Sequence, residues 1–120
     1  MSRDPRKLNV FHQADALVVK VYAETAIFPS EERFGLCAQV RRAAVSVPAN
    51  IIEGCARRTT REYLRFMNVA TGSAAETLYL LDLSTRLGFL RGEVYRELDE
   101  KYSHLLRGLQ KLQTSLADKP

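Results

Sequence analysis

The strongest constraint on the fold is a regular apolar repeat in the last third of the chain. Apolar or aromatic side chains recur there at alternating steps of three and four residues, and charged or polar side chains separate them. The repeat comprises Tyr95, Leu98, Tyr102, Leu105, Leu109, Leu112 and Leu116. This spacing is typical of a helix that buries one narrow stripe in a bundle or coiled coil. The sequence therefore predicts a long C-terminal helix packed against others.

Two helices are predicted at the start of the chain. The first runs from about Val10 to Ile27 and ends before Pro29, because the residue preceding a proline avoids the α region. Ser30 is expected to cap a second helix that runs to about Arg57. Pro48 lies inside this second helix and removes a backbone donor, so we expect a kink there, over residues 44–48.

A third helix follows, with clear signals at both ends. Thr59 and Glu62 form a capping box at its start, and Gly88 is placed as its C-terminal cap. Short connections between long helices make neighbouring helices antiparallel. The predicted fold class is therefore all-α, an antiparallel up-down-up-down four-helix bundle in one domain over residues 1–120. Residues 1–9 are expected to form a polar N-terminal arm.

Composition narrows the class of protein further. No run of about 18 apolar residues is present, so no membrane span is expected. The first residues are polar without an apolar signal core, which favours a cytoplasmic location. Cys37 and Cys55 are then expected to be reduced and partly buried rather than joined by a disulfide.

Positive charge is concentrated around the predicted second helix and its turn into the third. Between Arg33 and Arg65 lie seven arginines and two acidic residues, whereas residues 92–117 carry four basic and four acidic residues. Guanidinium groups bind phosphate through paired hydrogen bonds, so a ridge of arginines suits a nucleic-acid backbone. Arg57, Arg61 and Arg65 are spaced at four residues and form one ridge if helical geometry spans the turn, whereas Arg61 and Arg65 do so in either case. The candidate residues are Arg41, Arg42, Arg57, Arg58, Arg61 and Arg65. A solvated face whose arginines pair with carboxylates is the other interpretation, and the sequence leaves both open.

A set of polar residues lies among small apolar ones in the second and third helices. It comprises Ser46, Asn50, Glu53, Ser73 and Glu76. The first three share a helix face because they are spaced by four and three residues. We expect a structural polar network, in which Asn50 satisfies a backbone group freed by Pro48 and the carboxylates pair with Arg41 or Arg42. A binding pocket is the alternative.

The sequence lacks the patterns that catalytic and metal-binding sites require. A di-metal site in a four-helix bundle needs Glu-x-x-His on two helices, and the nearest match, Glu100 to His104, is one residue too long. No nucleophile motif or Gly-rich phosphate loop is present. The sequence therefore predicts no enzyme activity, no metal and no cofactor.

One continuous pattern in the centre of the chain carries a family resemblance. Residues 34–36 read Phe-Gly-Leu, and residues 39–54 read Gln-Val-Arg-Arg-Ala-Ala-Val-Ser-Val-Pro-Ala-Asn-Ile-Ile-Glu-Gly. Matching features stand at Val21-Tyr22, Thr25, Phe28-Pro29, residues 72–76 and residues 87–90. The pattern resembles that of the 23S ribosomal RNA intervening-sequence proteins, a bacterial four-helix-bundle family, over nearly the whole chain after residue 8.

The resemblance implies an antiparallel four-helix bundle that assembles as a homopentamer. It also implies distant similarity to the accessory protein of diversity-generating retroelements, which binds nucleic acid and a reverse transcriptase. We therefore predict a non-enzymatic oligomeric protein, a nucleic-acid-associated accessory factor that contacts RNA or DNA through its arginines. The alternative is a protein interaction scaffold whose arginines hold subunits or an acidic or nucleic-acid-processing partner.

Overall fold

The computed structural model describes residues 3–117, and four α-helices account for most of that range. They are α1 (Asn9–Thr25), α2 (Leu36–Cys55), α3 (Thr60–Arg86) and α4 (Gly92–Ala117). Consecutive helices pack together and α1 also packs against α4, whereas the diagonal pairs share no close backbone contact within residues 3–117. This cycle of neighbours joined by short connections confirms the predicted four-helix bundle.

The apolar repeat of α4 forms one wall of the core, as its spacing predicts. Leu98, Leu105 and Leu109 are fully buried, and so is the ring of Tyr102. Tyr95 is only half-buried, because the neighbouring Val94 occupies the first buried position of the helix. Each fully buried side chain of this size contributes about 1.5–3 kcal/mol, so this stripe is a principal source of stability.

The start of α2 differs from the sequence prediction. Ser30 does not cap this helix, because it begins a separate 3-10 turn (Ser30–Glu32) and its hydroxyl donates to the neighbouring Glu31. The helix begins at Leu36, whose backbone N–H donates to the Glu32 carboxylate at 3.0 Å. The predicted cap was therefore wrong by several residues, and the capping acceptor comes from the end of the preceding turn.

The rest of α2 is continuous through its proline. Pro48 is buried in the helix interior, and the helix runs on to Cys55, two residues short of the predicted end at Arg57. The kink at residues 44–48 stays a prediction. Asn50 does not satisfy the carbonyl of Ala44 that Pro48 deprives of its donor, because its side-chain amide donates instead to the carbonyl of Ser46 at 2.7 Å.

Helices α2 and α3 approach each other closely near the end of α2. A Cβ atom added to Gly54 would lie 2.8 Å from Cε of Met67 and 3.0 Å from Cβ of Phe66. A Cβ at this position would displace the end of the Met67 side chain and crowd the Cβ of Phe66, so the packing favours glycine. The close approach fixes where the α2–α3 turn leaves the bundle.

The ends of α3 follow the sequence signals. The Thr59 hydroxyl accepts from the backbone N–H of Glu62 at 3.1 Å and donates to its carboxylate, so the predicted capping box is confirmed in its main contact. Gly88 has a φ of 84°, the left-handed conformation that closes a helix. The third helix therefore begins and ends where local rules place it.

The first residues are docked on the bundle instead of extending from it as an arm. Pro5–Lys7 form a 3-10 turn, Leu8 packs against the core, and the backbone N–H of Arg3 donates to the carbonyl of Cys55 at 2.7 Å. The predicted polar arm at residues 1–9 is therefore corrected for residues 3–9, while residues 1–2 lie outside the described range. None of the helices within residues 3–117 has the length and hydropathy that a membrane crossing requires.

Candidate nucleic-acid interface

The arginines that cluster in the sequence lie on two separate surfaces of the bundle. Arg57, Arg58, Arg61 and Arg65 surround the α2–α3 turn, and Arg3 joins them; we call these five residues the turn cluster. Arg41 and Arg42 lie on α2, and Arg42 is about 22 Å of helix rise from Arg57. The candidate arginines are therefore divided between two regions of the surface.

The turn between α2 and α3 breaks the four-residue spacing of its arginines. The helix ends at Cys55, the backbone N–H of Ala56 bonds back to the carbonyls of the last turn, and α3 begins at Thr60. Arg57 therefore belongs to the turn, whereas Arg61 and Arg65 lie one helical turn apart on α3. Only the last two form the predicted ridge on one helix.

Phe66 brings two arginines of the turn cluster together. The guanidinium of Arg57 lies 5.4 Å from the centroid of the Phe66 ring, and that of Arg65 lies 5.2 Å from it. Cations are attracted to an aromatic face at this distance. Arg57 also pairs with Glu53 at 3.5 Å and donates to its backbone carbonyl. The two guanidinium groups therefore lie within about 11 Å of each other, and one carboxylate offsets only part of their charge.

Arg3 extends the turn cluster onto the start of α3. Its guanidinium lies 4.1 Å from the centroid of Tyr63 and donates to the hydroxyl of Thr60 at 3.2 Å. Burial raises the pKa of Tyr63, and the nearby Arg3 charge acts in the opposite direction. Sequence reasoning missed Arg3, because nothing local connects a residue near the N-terminus with partners in the middle of the chain.

An open groove of about 610 Å³ lies beside the turn cluster, between the start of α3 and the end of α4. Its lining combines the two arginines of α3 with polar and small side chains. The residues are Arg61, Glu62, Leu64, Arg65, Asn68, Gln113 and Ala117. The side-chain amide of Gln113 donates to the Thr71 hydroxyl at 2.8 Å, which ties α4 to α3 at this edge. The groove provides cationic and amide donors, the groups that hold phosphate oxygens.

Arg41 is half-buried, and its guanidinium group is bound to α1. Its Nε donates to the buried hydroxyl of Thr25 at 2.9 Å, and its Nη2 donates to the carbonyl of Tyr22 at 3.2 Å. The guanidinium also lies 4.4 Å from the centroid of the Tyr22 ring. Arg41 therefore joins α2 to the last turn of α1, where backbone carbonyls lack helical donors.

Arg42 is exposed and lines a second open groove, of about 490 Å³. This groove, called here the Phe34 groove, combines aromatic and aliphatic side chains with arginines from the α1–α2 connection and α2. It is lined by Tyr22, Arg33, Phe34, Ala38, Arg41, Arg42 and Val45. Arg33 lies over the Phe34 ring at 5.3 Å. Sequence reasoning missed this combination of rings and cations.

The predicted polar set divides into three residues that meet and two that do not. The hydroxyls of Ser46 and Ser73 are 2.8 Å apart, and Asn50 donates to the Ser46 hydroxyl at 2.9 Å. These bonds join α2 to α3. Glu53 is exposed and pairs with Arg57 rather than with Arg41 or Arg42, and Glu76 is exposed on α3 outside these contacts. The pairing with Arg41 or Arg42 was expected because a buried carboxylate needs a partner, but both carboxylates are exposed.

The two histidines lie apart on the surface of the bundle. Nε2 of His12 lies 2.7 Å from the carbonyl of Arg6, and His104 is exposed on α4. Within residues 3–117, no three His, Cys, Asp or Glu side chains are arranged to hold a metal ion. Cys37 and Cys55 are both buried as free thiols, and desolvation raises the pKa of Cys55.

Comparison with known proteins gives one family and one fold. The family model described as 23S rRNA-intervening sequence protein matches residues 6–111. A crystal structure from Bacteroides thetaiotaomicron, described as a protein with unknown function from the S23 ribosomal protein family, is 22% identical with a TM-score of 0.81. That likeness covers 88% of this chain and 95% of the other. A search of curated proteins found no match.

Proposed function

Because this chain belongs to the family of 23S rRNA-intervening sequence proteins, we propose that it is a non-enzymatic RNA-binding accessory protein. In this proposal the turn cluster contacts the phosphate backbone. The observation that carries it is the pair of guanidinium groups, from Arg57 and Arg65, that lie over the single ring of Phe66. Two cations this close repel each other, and a polyanion next to them relieves that repulsion.

The charge around the turn also favours an anionic partner. Between residues 53 and 65 there are four arginines and two glutamates, and Arg3 adds a fifth positive charge. The exposed ion pair of Arg57 with Glu53 is worth little in water, since both partners remain solvated. Arg61 and Arg65 have no ion pair within residues 3–117, so their hydrogen-bond donors are available to phosphate oxygens.

The test is RNA binding measured by fluorescence anisotropy over a range of salt concentrations. We expect the double variant Arg61→Ala/Arg65→Ala to bind a labelled RNA at least tenfold more weakly than the unmodified chain at low salt. The slope of log affinity against log salt should fall by about 0.7–0.9 for each phosphate that the variant no longer neutralises. A matched control, Arg96→Ala/Arg107→Ala, removes the same charge from exposed positions of α4.

Two results would reject RNA binding by the turn cluster. One is the absence of RNA binding by the unmodified chain at low salt. The other is an equal loss of affinity in the two double variants, which would show that net charge alone matters and that the turn has no special role.

We further propose that the chain assembles with itself, as the pentamer that the family resemblance implies. Several large apolar side chains are exposed on the single chain, among them Val19, Ile27 and Leu87. An assembly that covers some of them removes apolar surface from water and repeats the turn cluster on every subunit. Light scattering should give about five times the chain mass of 13.6 kDa. A mass of one chain would contradict the proposal.

The scaffold interpretation makes a different prediction for the same variants. If the arginines hold subunits together, Arg61→Ala/Arg65→Ala should lower the mass measured by light scattering and leave RNA binding per assembled particle unchanged. The binding proposal expects the reverse, a lower RNA affinity at an unchanged mass. Measuring both quantities on one sample separates the two functions.

A further inference from the structure

We propose that the Phe34 groove binds an unpaired RNA base, which stacks on the Phe34 ring while the neighbouring arginines contact its phosphate. This inference rests on the proposed RNA binding and adds the class of RNA that is bound, one with a single-stranded segment. It also assigns a second contact, separate from the turn cluster, in which Arg42, a candidate residue from the sequence, lies on the same groove as an exposed aromatic ring.

Phe34 is the most exposed large apolar side chain within residues 3–117. It is 87% exposed, compared with 69% for Val19 and 68% for Ile27. The backbone that carries it is held on both sides, because the N–H of Gly35 donates to the carbonyl of Glu32 and the N–H of Leu36 donates to the Glu32 carboxylate. A ring held out by an ordered turn loses little conformational entropy when a flat partner stacks on it.

The charges around the ring select an anionic partner. Arg33 lies over the Phe34 ring at 5.3 Å, and Arg42 is exposed on the same groove. None of the residues that line the groove is acidic. Proteins that bind single-stranded nucleic acid combine a basic groove with aromatic side chains, because every base has an apolar face and every nucleotide has a charge.

Arg41 and Tyr22 give the groove a rigid floor. The guanidinium of Arg41 is fixed by hydrogen bonds to Thr25 and to the carbonyl of Tyr22, and it lies against the Tyr22 ring. Arg41 therefore contributes positive charge at a fixed place. Arg33 and Arg42 also line the groove, and their exposed side chains have donors that can follow a phosphate.

The open groove suits an unpaired base better than a duplex. In an RNA duplex the base faces are stacked inside the helix, so an exposed ring cannot reach them. In a single strand the faces are available, and a groove of about 490 Å³ admits one base beside its ribose and phosphate. The proposed ligand is therefore a loop, an end or another unpaired segment of RNA.

Arg42 of the Phe34 groove and Glu53 beside the turn cluster lie on the same side of α2. Arg42 and Glu53, the residue that pairs with Arg57, are eleven positions apart, which corresponds to a rotation of only about 20° around a regular helix axis. The rise between them is about 17 Å. One strand that runs along α2 can therefore contact both regions, its phosphates at the turn and a base at Phe34.

The experiment compares two probes and three substitutions of Phe34. The probes are a fluorescein-labelled single-stranded oligouridine and a labelled RNA duplex of the same length, each titrated with the full chain. The substitutions are Phe34→Ala, Phe34→Leu and Phe34→Trp, and the control is Tyr79→Ala, which removes another exposed aromatic ring from α3. Circular dichroism melting checks that each variant is folded.

We expect Phe34→Ala and Phe34→Leu to weaken single-strand binding by about 5- to 150-fold, the range found when a stacking aromatic is removed. Phe34→Trp should bind within about twofold of the unmodified chain or more tightly, since indole also stacks on a base. Duplex binding should be unchanged in all three variants. Tyr79→Ala should leave both affinities unchanged.

Several results would overturn the proposed contact between Phe34 and a base without contradicting RNA binding by the turn cluster. An unchanged single-strand affinity in Phe34→Ala would exclude stacking, and a normal single-strand affinity in Phe34→Leu would show that apolar bulk suffices and that no aromatic ring stacks on the base. A lower mass of Phe34→Ala by light scattering would assign the ring to a subunit interface. If the unmodified chain binds neither probe, the proposed function itself fails and this inference fails with it.

Discussion

The turn cluster and the Phe34 groove use the same pair of residue types in opposite ways. At the turn, the guanidinium groups of Arg57 and Arg65 lie over the Phe66 ring, which is carried by α3. In the Phe34 groove, Arg41 is bound to α1 while the ring of Phe34 is exposed. At the turn, the arginines remain available to a ligand and the ring supports them. In the Phe34 groove, the ring remains available to a ligand and the arginine beside it is held in place by hydrogen bonds.

The difference shows that a count of arginines does not describe a binding surface. The ability of such a surface to bind a ligand depends on which member of each arginine–aromatic pair is held in place by the protein and which member is exposed. A guanidinium whose hydrogen bonds are satisfied internally contributes mainly to stability, as expected for Arg41. A guanidinium that only rests on a ring keeps its donors for phosphate, as expected for Arg65.

The largest expected change in the free energy of unfolding comes from a substitution in the close packing of α2 against α3, which supports the turn cluster. Gly54→Ala should lower the free energy of unfolding by about 1–3 kcal/mol, because its Cβ would meet Met67 and Phe66 at 3.0 Å or less. The matched control is Gly72→Ala on α3, where a Cβ has no neighbour within 4 Å. There the better helix propensity of alanine should raise stability by up to about 1 kcal/mol.

Denaturant unfolding of these two variants distinguishes packing from helix propensity. A stabilised Gly54→Ala variant would mean that α2 and α3 are further apart than the short distances around Gly54 indicate. A destabilised Gly72→Ala variant would mean that this open position is covered by something outside the single chain.

A smaller change in the free energy of unfolding should distinguish the hydrogen-bonded Arg41 from the exposed Arg61. Arg41→Ala should lower the free energy of unfolding by about 1–2 kcal/mol, because it removes two charged hydrogen bonds, to Thr25 and Tyr22. Arg61→Ala should change it by less than about 0.5 kcal/mol, as expected for an exposed side chain without such bonds. Chemical unfolding monitored by circular dichroism measures both. Equal values would contradict the division between structural and exposed arginines.

The smallest effect is expected for the polar contact that lies between the two regions. Ser73→Ala should lower the free energy of unfolding by about 0.5–1.5 kcal/mol, since the hydroxyl of Ser46 then has one partner fewer in a half-buried site. Because Ser73 belongs to neither region, its substitution should leave RNA affinity unchanged in the anisotropy assay. A large change in affinity would show that the three-residue network is part of a binding pocket, the alternative raised by the sequence.

Local rules in the sequence were enough for most of the fold. The spacing of the α4 repeat, the capping box at Thr59 and the glycine at position 88 depend on residues within a few positions of one another, and each was placed correctly. The start of α2 was placed wrongly, because Ser30 is a preferred cap by residue type but begins a separate 3-10 turn instead. The geometry of the turn brings the Glu32 carboxylate to the start of the helix.

The candidate site was predictable only as a set of residue types. A linear charge count cannot show that about 22 Å of helix separates Arg42 from Arg57, or that Arg41 is rotated toward Thr25 on another helix. The contact between Arg3 and Tyr63 joins the N-terminal segment to the third helix. Such contacts depend on how the helices pack, and no pattern within one segment encodes them.

The central claim is that the turn cluster supplies charge while the Phe34 groove supplies stacking. The most direct test measures the slope of log affinity against log salt for a single-stranded RNA bound to two variants. The account predicts that Arg61→Ala/Arg65→Ala lowers the slope by about 0.7 for each phosphate no longer neutralised, while Phe34→Ala weakens binding at every salt concentration without changing the slope. A reduced slope in Phe34→Ala, or an unchanged slope in the arginine variant, would contradict it.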